Sequence, residues 1–171
     1  DDGYTAGGMY YCNGTGGETR RNVTINNVIA GDKIVVYMAS SNAATGTLVF
    51  KYLGEDNEQV EKASFTNKGT KYEFVAKYSG SYKVYTDAAA GKPIYNRIVR
   101  IPGVAVSGTI DGAQLSGYKV MFKDEANGIT YDADIKGNTF TATLAAGCDY
   151  TAVLSGVAGY GFSVDTRSEE R

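Results

Sequence analysis

The segment Lys71-Tyr72-Glu73-Phe74-Val75-Ala76-Lys77-Tyr78-Ser79-Gly80-Ser81-Tyr82-Lys83-Val84-Tyr85-Thr86 alternates bulky and polar side chains with a period of two. Successive residues of a strand point to opposite faces, so Tyr72, Phe74, Ala76 and Tyr78 share one face, and Lys71, Glu73, Val75 and Lys77 share the other. Ser79-Gly80 reads as a tight turn, which makes 71–86 an expected hairpin. In its second arm Lys83 and Tyr85 fall on one face, with Tyr82 and Val84 on the opposite one. Helical periodicity, with apolar residues every three to four positions on one face and polar ones on the other, is almost absent along the chain.

The same pattern extends in both directions. Short β-branched and aromatic runs, punctuated by Gly, Asn and Asp, recur about every ten residues, the spacing of an all-β sandwich or barrel. Upstream and around the hairpin, strands are expected at 8–13, 22–28, 33–40, 47–53, 59–65 and 95–101. Ile101-Pro102-Gly103 marks a boundary, because proline cannot donate to a sheet ladder and glycine loosens the backbone beside it. Beyond it a second series is expected at 104–110, 118–123, 128–135, 139–144, 150–155 and 161–164, with a polar, disordered tail at 168–171. The chain is therefore read as two all-β domains, 1–102 and 103–171.

Charge separates the two parts. Residues 1–102 hold 12 Lys and Arg against 10 Asp and Glu, whereas residues 103–171 hold 5 against 9. The excess is concentrated in 62–100, where Lys62, Lys68, Lys71, Lys77, Lys83, Lys92, Arg97 and Arg100 face only Glu73 and Asp87, a local net of +6. Ten of the 14 tyrosines also lie in the first part. Cations pair with carboxylates or phosphates while tyrosine offers a flat ring and a hydroxyl, so this is a surface suited to a polyanion. The competing reading is that lysines protect sheet edges and tyrosines fill a half-buried sheet.

Catalytic constellations are few. The chain has no His, which removes Ser-His-Asp, Cys-His and His-metal chemistry. Cys12 and Cys148 lack CxxC spacing; they either form one long-range disulfide or remain two thiols. Gly14-Thr15-Gly16-Gly17 lacks the Lys-Ser/Thr and the helix of a phosphate loop. Glu55, Asp56 and Glu58, or Asp1-Asp2, are the candidate positions for a structural calcium ion, though they lack the spacing of a calcium loop; no other cofactor is expected. No nucleic-acid motif is present and the chain is acidic, with pI near 5.2. No apolar run reaches the roughly 18 residues of a membrane span. The start lacks a signal peptide and reads as that of a mature or excised fragment.

Two resemblances add to this reading. Val106-Ser107-Gly108-Thr109-Ile110, Leu115-Ser116-Gly117-Tyr118-Lys119-Val120-Met121-Phe122, Gly128-Ile129-Thr130-Tyr131 and Phe140-Thr141-Ala142-Thr143-Leu144-Ala145-Ala146-Gly147-Cys148-Asp149-Tyr150 resemble the small prealbumin-like sandwich repeats of bacterial surface proteins. Gly31-Asp32-Lys33-Ile34-Val35-Val36-Tyr37, then Phe74-Val75-Ala76, Ser79-Gly80-Ser81-Tyr82-Lys83-Val84-Tyr85 and Tyr95-Asn96-Arg97-Ile98-Val99-Arg100, are similar to jelly-roll-like accessory modules found beside pectate lyases and pectin esterases of Gram-positive gut bacteria. The resemblance implies a jelly-roll-like β-sandwich followed by an immunoglobulin- or transthyretin-like one. It also implies a non-catalytic, monomeric, extracellular or cell-wall-attached piece of a protein whose catalytic domain lies elsewhere, and a carbohydrate-binding role toward acidic plant polysaccharide such as pectin. The alternative is a purely structural stalk. Strand alternation and charge nominate Lys83 and Tyr85 first, Lys71 and Lys77 from the paired arm next, and Arg97.

Overall fold

The computed structural model describes residues 10–40, 45–55, 58–66, 70–87, 92–110 and 117–156, and the account below concerns these. They contain strands and no helix, and every strand pair is antiparallel. The chain divides into two compact units at Gly103/Val104, one residue from the Pro102-Gly103 boundary read in the sequence.

The first unit contains β1 (Tyr10–Tyr11), β2 (Val23–Val28), β3 (Lys33–Ser40), β4 (Thr45–Tyr52), β5 (Val60–Thr66), β6 (Thr70–Val75), β7 (Gly80–Thr86) and β8 (Pro93–Ile101). They form two four-stranded sheets, ordered β1-β8-β3-β6 and β2-β7-β4-β5. Even-numbered residues of β3 and β4 point inward: Ile34, Val36, Met38, Leu48 and Phe50 are all but sealed from solvent. Phe50 stacks on Phe74 of the other sheet at 4.9 Å and on Tyr82 of its own at 4.5 Å, both nearly parallel. Offset rings of this kind contribute about 0.5–1.5 kcal/mol beyond their buried area.

The expected hairpin over 71–86 does not form. β6 pairs with β3 while β7 pairs with β2 and β4, so its two arms belong to different sheets. Residues 76–79 are the corner between them, and the corner is fastened at several points. Ala76 N–H donates to the Asp32 carbonyl and Gly31 N–H to the Ala76 carbonyl, each at 2.8 Å. The Tyr82 hydroxyl accepts Tyr78 N–H at 3.0 Å and lies 2.8 Å from the Tyr78 carbonyl. Gln59 Oε1 accepts Lys77 N–H at 2.8 Å. Gly80 closes the corner at φ +150°, where an added Cβ would stand 2.9 Å from the Tyr52 ring.

The side chain of Asp32, whose carbonyl meets Ala76, makes a second fastening. Its buried carboxylate accepts Ile29 N–H at 2.7 Å, Arg100 Nε–H at 2.5 Å and Gly103 N–H at 3.1 Å. One side chain thus ties the β2–β3 turn to the end of β8 and to the last residue of the unit.

The second unit contains β9 (Val104–Thr109), β10 (Lys119–Asp124), β11 (Ile129–Asp132), β12 (Asp134–Lys136), β13 (Thr139–Leu144) and β14 (Thr151–Ser155). Its two three-stranded sheets run β11-β10-β14 and β12-β13-β9. The single strand expected at 128–135 breaks at Ala133, whose N–H donates to the Val120 carbonyl at 2.9 Å, and the chain then crosses to the other sheet. Phe122 and Phe140, one from each sheet, meet at 6.0 Å. Tyr118 donates to the Gly137 carbonyl at 2.7 Å and Tyr150 to the Ala145 carbonyl at 3.0 Å. Buried Asp124 accepts both Asn127 N–H and Asn127 Nδ2–H, shaping the β10–β11 turn. The strand expected at 161–164 and the tail lie outside the described residues, as do Asp1, Asp2 and Asp56.

Cys12 and Cys148 are both free; Cys12 is buried in the core of the first unit, where burial pushes its thiol pKa up. Among the described residues no group of three or more His, Cys, Asp or Glu is arranged to hold a metal ion, and no helix is long and apolar enough to cross a membrane.

Candidate functional site

The five residues nominated from sequence separate into three places. Lys83 and Tyr85 project from β7 on the outer face of their sheet, opposite the inward Tyr82 and Val84, as the alternation requires. Both are already engaged by the segment joining β1 to β2. Lys83 Nζ donates to the Glu18 carbonyl at 3.1 Å. The Glu18 carboxylate accepts from Lys51 Nζ at 2.7 Å and also interacts with the Tyr85 hydroxyl. Lys51 stands directly across from Lys83 on β4. The hydrogen bond from Lys51 holds the Glu18 carboxyl below its ordinary pKa, and the same contact raises that of Lys51. Burial, and then the charge of Glu18, raise the Tyr85 phenol. This group fastens a connecting segment to the sheet, a structural task for residues nominated as a ligand surface.

Lys77 is exposed in the corner between β6 and β7, outside any strand, with its ammonium 5.3 Å from the centre of the Tyr78 ring. It does not accompany Lys83, because the two arms do not pair.

Lys71 and Arg97 do come together, on the outer face of the other sheet. Tyr37 of β3 is paired in register with Lys71 of β6 on one side and with Arg97 of β8 on the other. The three side chains form a row across adjacent strands, cation, aromatic ring, cation, with the outer two about 10 Å apart from strand spacing. The Arg97 guanidinium lies 5.8 Å from the centre of the Tyr37 ring, and both Lys71 and Arg97 are exposed. Glu73, beside the row, pairs with Lys71 at 3.0 Å and with Lys33 at 3.6 Å, which lowers its carboxyl pKa. Lys33, Lys71 and Arg97 share this face with the Glu73 carboxylate.

A β-bulge makes this geometry. Tyr37 is opposite Arg97, while Met38, the next residue, is opposite Tyr95, so Asn96 is the extra residue. In a regular strand positions 95 and 97 would share a face; the bulge sends Tyr95 into the core and leaves Arg97 outside. Tyr37 was legible as an outward position of 33–40, since it alternates with the apolar Ile34, Val36 and Met38. The Glu18 contacts, made across 33 and 65 positions of chain, carry no local signal.

Chemically, the row can bind an anion that also has a flat apolar surface: two charge-assisted donors flank a ring that is itself polarised by a guanidinium. No protein-family model, no curated protein and no solved structure matches the chain.

Proposed function

We propose that the first unit is a non-catalytic module that binds acidic polysaccharide of the pectin type. The observation that carries this reading is the Lys71–Tyr37–Arg97 row. Polygalacturonate presents a carboxylate on each unesterified unit and a stackable sugar ring, and cations flanking a tyrosine meet both. Lys71 and Arg97 are retained from the residues nominated in the sequence; Lys83, Tyr85 and Lys77 are replaced by Tyr37 and Lys33. The sheet orders β1-β8-β3-β6 and β2-β7-β4-β5 support a jelly-roll description, since eight strands alternate between two sheets except at the β4–β5 hairpin. In this reading the second unit is an immunoglobulin- or prealbumin-like spacer, and the chain belongs to a secreted or cell-wall-attached, polysaccharide-degrading protein whose catalysis lies elsewhere.

Affinity electrophoresis of the intact chain tests it, in gels containing low-ester pectin, high-ester pectin or neutral xylan. The expected outcome is retardation by low-ester pectin alone, relieved by added salt because exposed charge pairs are screened. The double substitution Lys71→Ala and Arg97→Ala should abolish it. Equal, unretarded migration of the wild type in all three gels overturns the reading. It would favour the stalk alternative, which the clasp of Lys51, Lys83 and Tyr85 around Glu18 also supports.

A further inference from the structure

Among the described residues, Tyr10 and Tyr11 of β1 pair with Tyr95 and Ile94 of β8. β2 of the other sheet begins at Val23. A groove of about 390 Å³ is lined by Tyr10, Val23, Tyr95, Asn96, Arg97 and Ile98. Small-molecule sites fall in the range of about 300–1,000 Å³ and combine an apolar lining with a few placed polar groups.

The lining has that composition, and the bulge concentrates it. Tyr10 is 57% exposed, a large aromatic side chain left open to solvent, and its ring is stacked at 6.5 Å and 22° on Tyr95. Val23 and Ile98 supply aliphatic surface. Asn96, the extra residue of the bulge, and Arg97, the next residue, also line the groove. Asparagine offers a donor and an acceptor to a sugar hydroxyl pair, and arginine a planar fork that matches a carboxylate.

We infer that this groove seats one uronic-acid unit of the polysaccharide, with its ring against Tyr10, its carboxylate on Arg97 and its hydroxyls on Asn96. The inference rests on the proposed function and gives it a specific subsite: the row on the sheet holds the polymer by charge, and the groove selects a single acidic sugar.

Isothermal titration of the intact chain with an oligogalacturonate, alongside low-ester pectin gels, tests the subsite. Tyr10→Ala and Asn96→Ala are the variants, with unchanged far-ultraviolet circular dichroism as the check of folding. Each should weaken oligogalacturonate binding about tenfold, the loss expected for one stacking or hydrogen-bonding partner. Asn96→Ala is the safer of the two for folding, because Tyr10 contacts the core ring of Tyr95. If the wild type binds pectin and both variants bind oligogalacturonate as tightly as it does, the groove is not the subsite while the polysaccharide reading stands. If the wild type binds neither probe, both are overturned.

Discussion

The two units use the same local chemistry and reach very different core depths. In the first, thirteen buried residues, drawn from both four-stranded sheets and from Cys12 and Ala76 beside them, form one cluster. In the second, the buried apolar residues among those described are Tyr118, Val120, Ile129, Tyr131, Leu144 and Ala145, and of these only Val120 falls below 2% exposure. Residues on β9 are all exposed or half-buried, and β12 has only three residues. Alternation is as clean in β13 as in β7, yet the inward residues of β13 before Leu144 are only half-covered. The difference teaches that period-two patterning fixes which way a side chain points, whereas strand length and sheet width decide how completely it is covered.

Deletions at matched core positions should sharpen that contrast. Phe50→Ala removes a ring stacked on two others and should cost about 4 kcal/mol in denaturant unfolding. Val120→Ala, the best-buried apolar position of the second unit, should cost about 2 kcal/mol. Equal losses would break the comparison.

A smaller effect comes from a polar defect in the larger core. Glu61 is paired across from the inward Phe50 and accepts from Gln59 Nε2, and burial raises its carboxyl pKa despite that hydrogen bond. A carboxyl whose folded pKa is raised contributes its stability below the unfolded value and loses it as pH rises through the folded one. Glu61→Gln keeps an acceptor for Gln59 and removes the charge. It should stabilise the protein at pH 7 by about 1 kcal/mol or less, with the gain disappearing below about pH 4. A pH-independent difference between the two melting curves would show that burial of the charge is not the cause.

Much of this architecture was legible in the sequence. Residues 33–40 and 139–144 are strands with the expected bounds. The pairing of 71–86 was not legible. Both sheets of a sandwich face one core, so Tyr72, Phe74, Tyr82 and Val84 obey the same inward parity whether the arms pair with each other or cross between sheets. What distinguishes the two is the fastening of residues 76–79 by Asp32, Gln59 and Tyr82, and two of these partners come from other strands or turns. The candidate site divides the same way: the outward direction of Lys71 and Lys83 followed from alternation, while the outward turn of Arg97, the row through Tyr37 and the clasp on Glu18 depend on a bulge, on cross-strand register and on a loop contact. Asn96 was hidden for a related reason, since a bulge is a mismatch between two strands and neither strand records it alone.

The Asp32 carboxylate bears on how the first unit comes apart. Its Ile29 partner is three positions away and can be met as soon as the turn forms, but Arg100 and Gly103 are 68 and 71 positions away and arrive only when β8 has docked. Closing such long loops comes late, because their entropy must be spent before the contacts reward it. Asp32 is therefore a latch that shuts after the barrier: Asp32→Ala, which leaves Arg100 without this partner at a cost of about 3 kcal/mol, should quicken unfolding and leave the folding rate nearly unchanged. A chevron in which the folding arm carried the loss would place the latch before the barrier instead. With the latch shut after the barrier, a single buried acidic side chain governs how long the completed sheet stays closed.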